Sequence, residues 1–321
     1  VSPIGNNVET FWENLCEGAC GIDFIKSMQT EGLQSNIAGE VKDFNPAEYD
    51  IEPAFARKQD RFTIFAVAAA WQAVREAGLD ASENGNIDPM RYGVYVGSGI
   101  GGFTTQERES AKMLTEGPKW VSPLFIPTMI ANIAAGNIAI RNNACGPCLP
   151  VTTACSTSTH AIGEAYRAIK HGYADAIIAG GAEAAVTVGG VAGFSAMRAI
   201  STRNDDPQHA SRPYDKNRDG FVIAEGAGAL IFEEYEHAKA RGAHIYAELV
   251  GIGLTADAYH LTASDPEGTG AKNAMQLAIN EADISLEQVE YINTHGTSTP
   301  IGDIAEIKAI QDLFGQHAYD L

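Results

Sequence analysis

Apolar residues recur at helical spacing from Ile64 through Phe65, Ala66, Val67, Ala68, Ala69, Ala70, Trp71, Ala73, Val74 and Ala77, and the run stops at Gly78. That pattern predicts a helix with a buried face, closed by a glycine. The apolar run Tyr92-Gly93-Val94-Tyr95-Val96 then leads into Gly97-Ser98-Gly99 and predicts a strand ending in a glycine turn. The same grammar returns late in the chain, as a helix over Lys272–Ile284 and a strand over Val289–Asn293 ending at Thr294-His295-Gly296. Between these, Leu149–Thr153 reads as extended, Ser156–His171 as a helix stopping at Gly172, and Ala176–Ala179 as a short buried strand. Alternating strands and helices predict an α/β fold, and the recurring pattern hints at a duplicated unit. Gly189–Gly193 and the turn-rich Ser201–Pro207 read as surface or site loops.

Composition narrows the function. The 321 residues are 45% apolar with 33 glycines, enough for one large core or two fused smaller ones. Formal charge is −19, which repels polyphosphate and argues against nucleic-acid or anionic-membrane partners. No long apolar run or basic leader marks the chain for insertion or export, so cytoplasmic residence is the expectation. The five cysteines, Cys16, Cys20, Cys145, Cys148 and Cys155, suit a reducing compartment better than a disulfide framework.

Three motifs carry candidate chemistry. Cys145-Gly146-Pro147-Cys148 matches a thiol-disulfide tetrapeptide in its letters. Redox use, however, needs the first cysteine at a helix N-terminus, and a proline leading into β-branched residues follows instead. No second ligand pair sits at zinc-finger spacing, so no metal is expected. Gly97-Ser98-Gly99-Ile100-Gly101-Gly102 satisfies the dinucleotide pattern but lacks the later strand ending in an acidic residue. Cys155 lies where an extended segment turns into a helix. There the helix dipole would favour a thiolate, and backbone N–H groups could face an oxyanion. A small buried cysteine without chemistry stays open as the alternative.

Four separated stretches then resemble the β-ketoacyl-acyl-carrier-protein synthases: Thr153-Ala154-Cys155-Ser156-Thr157, Ala179-Gly180-Gly181-Ala182-Glu183, Arg212–Phe221 and Asn293–Asp303. The likeness spans the chain and is nearest to the elongating type II fatty-acid branch. It implies a thiolase-like fold of duplicated βαβαβ halves in five layers, usually as a homodimer. The N-terminal half would cover residues 1–240 with its first strand incomplete, and the C-terminal half would start at 241–321. The implied reaction is a decarboxylating Claisen condensation. Cys155 accepts an acyl chain from acyl carrier protein, malonyl-carrier protein loses CO₂, and its enolate attacks the acyl-enzyme. His295 matches a catalytic histidine, Thr297 and Thr299 match hydroxyls that hold the phosphopantetheine arm, and Glu306 matches an acid that pairs with a catalytic lysine. Ile100, Phe125, Ile126, Gly190 and Phe194 fall at acyl-tunnel positions. Lys58 and Arg61 match a docking patch for the carrier protein, extended by Lys119, Arg198 and Arg203, while Phe62 replaces a lysine of that patch. His160 is expected to be structural.

The resemblance also implies a second catalytic histidine, a lysine and a glycine-rich oxyanion loop beyond Leu321, so the chain is expected to be a fragment that decarboxylates malonyl-carrier protein poorly alone. No resident cofactor is expected, because the phosphopantetheine arrives on the carrier protein. Rival readings are a polyketide-synthase ketosynthase domain, a thiolase, a non-catalytic partner subunit, and a thiol-disulfide protein using Cys145 and Cys148. Thr157 and Asn293-Thr294-His295 favour the fatty-acid type over the polyketide type, and retention of Cys155 argues against the partner subunit.

Overall fold

The computed structural model describes residues 1–321. It divides into two compact units interleaved along the chain: unit 1 is Val1–Thr30, Ala38–Val191 and Ile223–Tyr246, and unit 2 is Glu31–Ile37, Ala192–Val222 and Ala247–Leu321. The elements used below are α1 (Arg61–Ala77), β1 (Tyr92–Gly97), α2 (Phe103–Glu116), α3 (Ile133–Arg141), α4 (Thr157–Lys170), β2 (Ala176–Ala184), α5 (Val188–Ala196), β3 (Glu225–Glu233), α6 (Thr269–Ala282) and α7 (Gly302–Phe314).

Unit 1 is built on a three-stranded sheet of order β1-β2-β3. β1 runs parallel to β2, with Val94 opposite Ile178, and β2 runs antiparallel to β3, with Ile178 opposite Ile231. Side chains alternate across the sheet as the strand period requires. Val94, Val96 and Ile178 pack with Phe62, Phe65 and Val67 of α1 and Ala134, Ala135 and Ile138 of α3. Tyr95, Ile177 and Ala179 pack on the other side with Ala161, Ala165 and Ala168 of α4. Small residues on α4 and in the Ala66–Ala70 run let helix and sheet approach closely, and burying Phe62 and Phe65 completely contributes about 2–3 kcal/mol each.

Helix α1 forms where its pattern predicts. The Asp60 side chain accepts from the Phe62 N–H at its start, and Gly78 closes it in the left-handed region at φ +66° with its N–H bonded to Val74 O at 3.0 Å. Strand β2 is longer than the predicted Ala176–Ala179, because it continues through Gly180-Gly181 to Ala184. Two expectations are overturned. Gly189–Gly193 is not a loop but the body of α5. Val289–Asn293 is not a sheet strand, since it makes no ladder; Leu149–Thr153, read only as extended, also makes no ladder and follows an isolated bridge from Cys148 to Val94. Val289 and Ile292 nonetheless pack beside Ile279, Ile310, Leu313 and Phe314 in the core of unit 2. Apolar residues are buried there without a ladder, because a strand also needs a partner backbone to bond.

Arg91 and Asp175 tie together the starts of the parallel strands β1 and β2. The guanidinium donates from Nε to Oδ2 at 3.0 Å and from Nη2 to Oδ1 at 2.5 Å. Arg91 holds the Asp175 carboxyl below its ordinary range. The pair's contribution is therefore complete above the ordinary aspartate pKa of about 4 and is lost as pH falls through the lowered folded value. Because both side chains are about a third exposed, Asp175→Asn is expected to cost only about 1 kcal/mol at neutral pH. The difference from the parent should vanish in acid, as read by urea titrations at pH 7 and in strongly acidic buffer.

Candidate active site

In unit 1 the chain reaches Cys155 through a strained elbow. Thr153 sits at φ −139°, ψ 41°, and Ala154 is at φ +52°, a region that costs a residue with a β-carbon about 1 kcal/mol or more. Two side chains hold the bend: the Thr153 N–H donates to Thr157 Oγ1 at 2.9 Å, and Ser156 Oγ donates to Thr153 O at 2.8 Å. A single turn of 3₁₀ helix, Ala154–Ser156, then delivers the chain into α4. Cys155 is exposed at this positive end, and no side chain caps the helix. The buried-cysteine alternative does not hold.

Glu183, at the end of β2, braces the glycine turn beside this elbow. Its Oε1 accepts from Ser98 Oγ at 3.0 Å, and its Oε2 accepts from the N–H groups of Gly99 at 2.9 Å and Ile100 at 3.2 Å. A β-carbon on Gly99 would lie 2.9 Å from Glu183 Oε2 and 3.6 Å from Ala154 Cα, so turn, carboxylate and elbow are packed against one another. Burial pushes the Glu183 carboxyl above its ordinary value, against the opposing pull of those donors. The glycine turn that imitates a dinucleotide motif is thus filled by a protein carboxylate.

The other unit 1 candidates divide. Ile100 and Ile126 are exposed, Phe125 is half-buried and Gly190 is buried. Lys58 is exposed. Arg61 is already engaged by Glu225, with contacts of 2.7 and 2.8 Å, and lies 4.6 Å from the Phe65 ring centroid. Lys119 lies 5.3 Å from the Trp120 ring centroid. His160 is half-buried on α4. Cys145 and Cys148 are not bridged; their segment runs beside β1, with Val94 N–H donating to Pro147 O at 2.9 Å and Leu149 N–H to Val94 O at 3.1 Å. Burial pushes the Cys148 thiol up, the opposite of what thiol-disulfide exchange requires.

In unit 2, Glu306 on α7 holds the backbone of the candidate histidine. Its Oε1 accepts from the His295 N–H at 2.6 Å, and its Oε2 accepts from Gly296 N–H at 2.9 Å and Tyr214 Oη at 3.0 Å. The Thr297 and Thr299 hydroxyls lie 3.0 Å apart. Between them Ser298 is fully buried at φ +64°, with its Oγ accepting from Arg212 N–H and its carbonyl from Gly220 N–H. Phe194 packs edge-on against Phe221, 5.3 Å between centroids. Arg198 is exposed, and Arg203 pairs with Asp206 at 2.7 Å.

These two constructions, a strained cysteine elbow and a pinned histidine loop, carry the motifs on which the family likeness rests. Family models agree: the β-ketoacyl synthase N-terminal domain matches residues 1–238, and the C-terminal domain of the same family matches 246–321. The chain belongs to the β-ketoacyl synthase family. It is 50% identical over 321 residues to a 3-oxoacyl-[acyl-carrier-protein] synthase 2 of Staphylococcus aureus, covering 100% of this chain and 78% of that protein. Against the enzyme of the same name from Vibrio harveyi it is 48% identical over 316 residues, covering 98% and 75%. A solved type II polyketide ketosynthase in complex with its acyl-carrier protein superimposes with TM-score 0.90 at 33% identity, covering 100% of this chain and 77% of that one. A β-ketoacyl synthase from Burkholderia phymatum gives 0.89 at 35%, covering 98% and 76%. The fold is thus the thiolase-like α/β fold of ketosynthases.

Sequence reasoning passed over Glu183, Tyr214, Arg218 and Asp303 as individual residues, although each lies within a stretch the resemblance quoted. Asp303 is 1% exposed. It accepts from Tyr214 N–H at 2.8 Å and Thr299 N–H at 3.2 Å and pairs with Arg218 Nε at 3.0 Å, while Arg218 also donates to Thr299 O and Pro300 O. Asp303→Ala would strand a buried guanidinium and two N–H groups, at a cost of about 3 kcal/mol or more. Amide exchange should accelerate across residues 294–300 and stay unchanged in β1. Equal acceleration in both places would contradict this local role.

Proposed function

We propose that this chain performs the β-ketoacyl-acyl-carrier-protein synthase reaction of fatty-acid elongation, with Cys155 as the acyl acceptor. The observation that carries the reading is the exposed Cys155 on a strained elbow at the N-terminal end of α4. The positive end of the helix stabilises the negative charge of a thiolate and of the oxyanion formed as it attacks a thioester carbonyl. That attack forms the Cys155 thioester and releases the carrier's phosphopantetheine thiol. In the second half-reaction malonyl-carrier protein loses CO₂, and the electron pair of the broken C–C bond becomes an enolate. The enolate attacks the Cys155 thioester, forming the new C–C bond and returning the thiolate. We assign His295 to donate a hydrogen bond to the malonyl thioester oxygen as enolate charge develops. Its backbone is fixed by Glu306, so the loop that carries the imidazole is held in place. Thr297 and Thr299 are assigned to the phosphopantetheine arm, and Ile100, Phe125, Ile126, Gly190 and Phe194 to the acyl chain. No step needs a resident cofactor.

The partner in this reading is an acidic acyl carrier protein, met by Lys58, Lys119 and Arg198 rather than by Arg61 and Arg203, whose guanidinium groups are taken up by Glu225 and Asp206. On a chain of charge −19 such attraction acts only over short range. We place the enzyme in the cytoplasm as a homodimer. No helix is long and apolar enough to cross a membrane, and Leu124 and Leu149, both exposed on unit 1, supply apolar surface for association.

Incubation with a saturated acyl-carrier protein is expected to add one acyl mass to the chain, mapped to Cys155, and Cys155→Ser should abolish the adduct. A label on Cys145 or Cys148 instead would overturn the assignment. Lys58→Glu should slow acylation by about 3–10-fold at low salt, with the gap to the parent narrowing as salt rises. Equal rates at low salt would remove Lys58 from the docking surface.

A further inference from the structure

Helix α5 is an unusual helix to build a specificity wall from. Its sequence is Val188-Gly189-Gly190-Val191-Ala192-Gly193-Phe194-Ser195-Ala196, and each of its glycines weakens the helix by roughly 1 kcal/mol relative to alanine. Its first turn is held from outside. Glu107, on α2, accepts from the Thr187 hydroxyl at 2.6 Å and from the Gly189 N–H at 2.6 Å, both through Oε1. Thr187 Oγ1 in turn accepts from Gly190 N–H at 3.0 Å. A β-carbon on Gly189 would lie 2.5 Å from that same carboxylate oxygen and 3.4 Å from Phe103 Cζ, so the Glu107 carboxylate can sit on this turn only because the side chain is missing. The first turn of α2 is itself anchored, its Thr105 N–H donating at 2.7 Å to Asp60, whose side chain is buried at the start of α1. A chain of two carboxylates thus transmits the position of the core helix α1 to the soft helix α5.

We propose that Glu107 is a positioning residue that sets acyl-chain preference by fixing the first turn of α5. This rests on the proposed function, in which Gly190 and Phe194, both on α5, meet the acyl chain. Glu107 does not touch the reacting atoms. In that reading a long chain runs along α5 and a short one ends before it, so displacement of this turn acts on long substrates selectively.

The test compares rates of Cys155 acylation by carrier proteins loaded with saturated chains from butyryl to palmitoyl, read by intact mass. Glu107→Ala is expected to lower the palmitoyl rate relative to the butyryl rate by about five-fold. Glu107→Gln keeps an oxygen that can accept from both donors and should hold that ratio within about two-fold of the parent. Gly189→Ala is the decisive variant, because alanine strengthens α5 as a helix while its methyl displaces the Glu107 oxygen. It should shift the ratio as Glu107→Ala does, without a fall in melting temperature. A parent-like ratio in Glu107→Ala and Gly189→Ala, an equal loss at every chain length, or a Gln variant as impaired as the Ala variant would each overturn the proposal. Absence of any adduct on Cys155 in the parent protein would instead refute the proposed function, and this inference with it.

Discussion

One carboxylate can accept several hydrogen bonds at once, and the functional segments of this protein depend on that capacity. Glu183 gathers Ser98, Gly99 and Ile100; Glu306 gathers His295, Gly296 and Tyr214; Asp303 gathers Tyr214, Thr299 and Arg218. These segments turn too sharply to satisfy their own backbones, as the positive φ values at Ala154, Tyr214 and Ser298 show. Without an outside acceptor, those donors that are shielded from water would cost about 1–3 kcal/mol each. Local strain is therefore balanced by long-range hydrogen bonds, and each loop is held as firmly as the secondary structure that carries its carboxylate.

The arrangement explains why chemistry and stability are coupled here without being the same thing. Cys155 owes its exposure to Thr153, Ser156 and Thr157, whose hydrogen bonds close the elbow, while the turn beside it is fixed by Glu183 from the end of β2. A reactive thiol on a freely flexing loop would sample many orientations. On this elbow it is restricted to the end of α4, where the helix field acts on it. The raised Glu183 carboxyl reports the desolvation cost of using a buried acid for this bracing.

Much of unit 1 was legible in the sequence because its signals are local. Helix α1 carries its own period and its own stop at Gly78, and β1 is an uninterrupted apolar run. The cysteine elbow was legible for the same reason, since the extended-to-helix transition lies within a few residues of Cys155. Helix α5 was not legible. Its glycines read as a loop, and its first turn is held by an oxygen of Glu107, some eighty residues earlier in the chain. The strand expected at Val289–Asn293 failed in the opposite way: Val289 and Ile292 do reach the α6–α7 core, but pairing is a property of two segments and cannot be read from one.

The same distinction governs which site residues the family motifs conveyed. Cys155, His295, Thr297 and Thr299 stand in the motifs as donors, acceptors or nucleophiles whose chemistry is evident from residue type. Asp303 and Glu183 stand in the motifs too, but their work is to accept from backbone N–H groups that any residue would offer. Nothing in the letters distinguishes such an acid from a solvated one. The distinguishing property is how many donors each acid gathers from the backbone: Asp303 accepts from two amides besides its one arginine, and Glu183 from a hydroxyl and amides alone. An acid with that environment cannot be exchanged for another charge or an alkyl group without freeing several donors at once. Motif positions of this kind are therefore architectural in their contacts yet inseparable from the chemistry of the loops they hold.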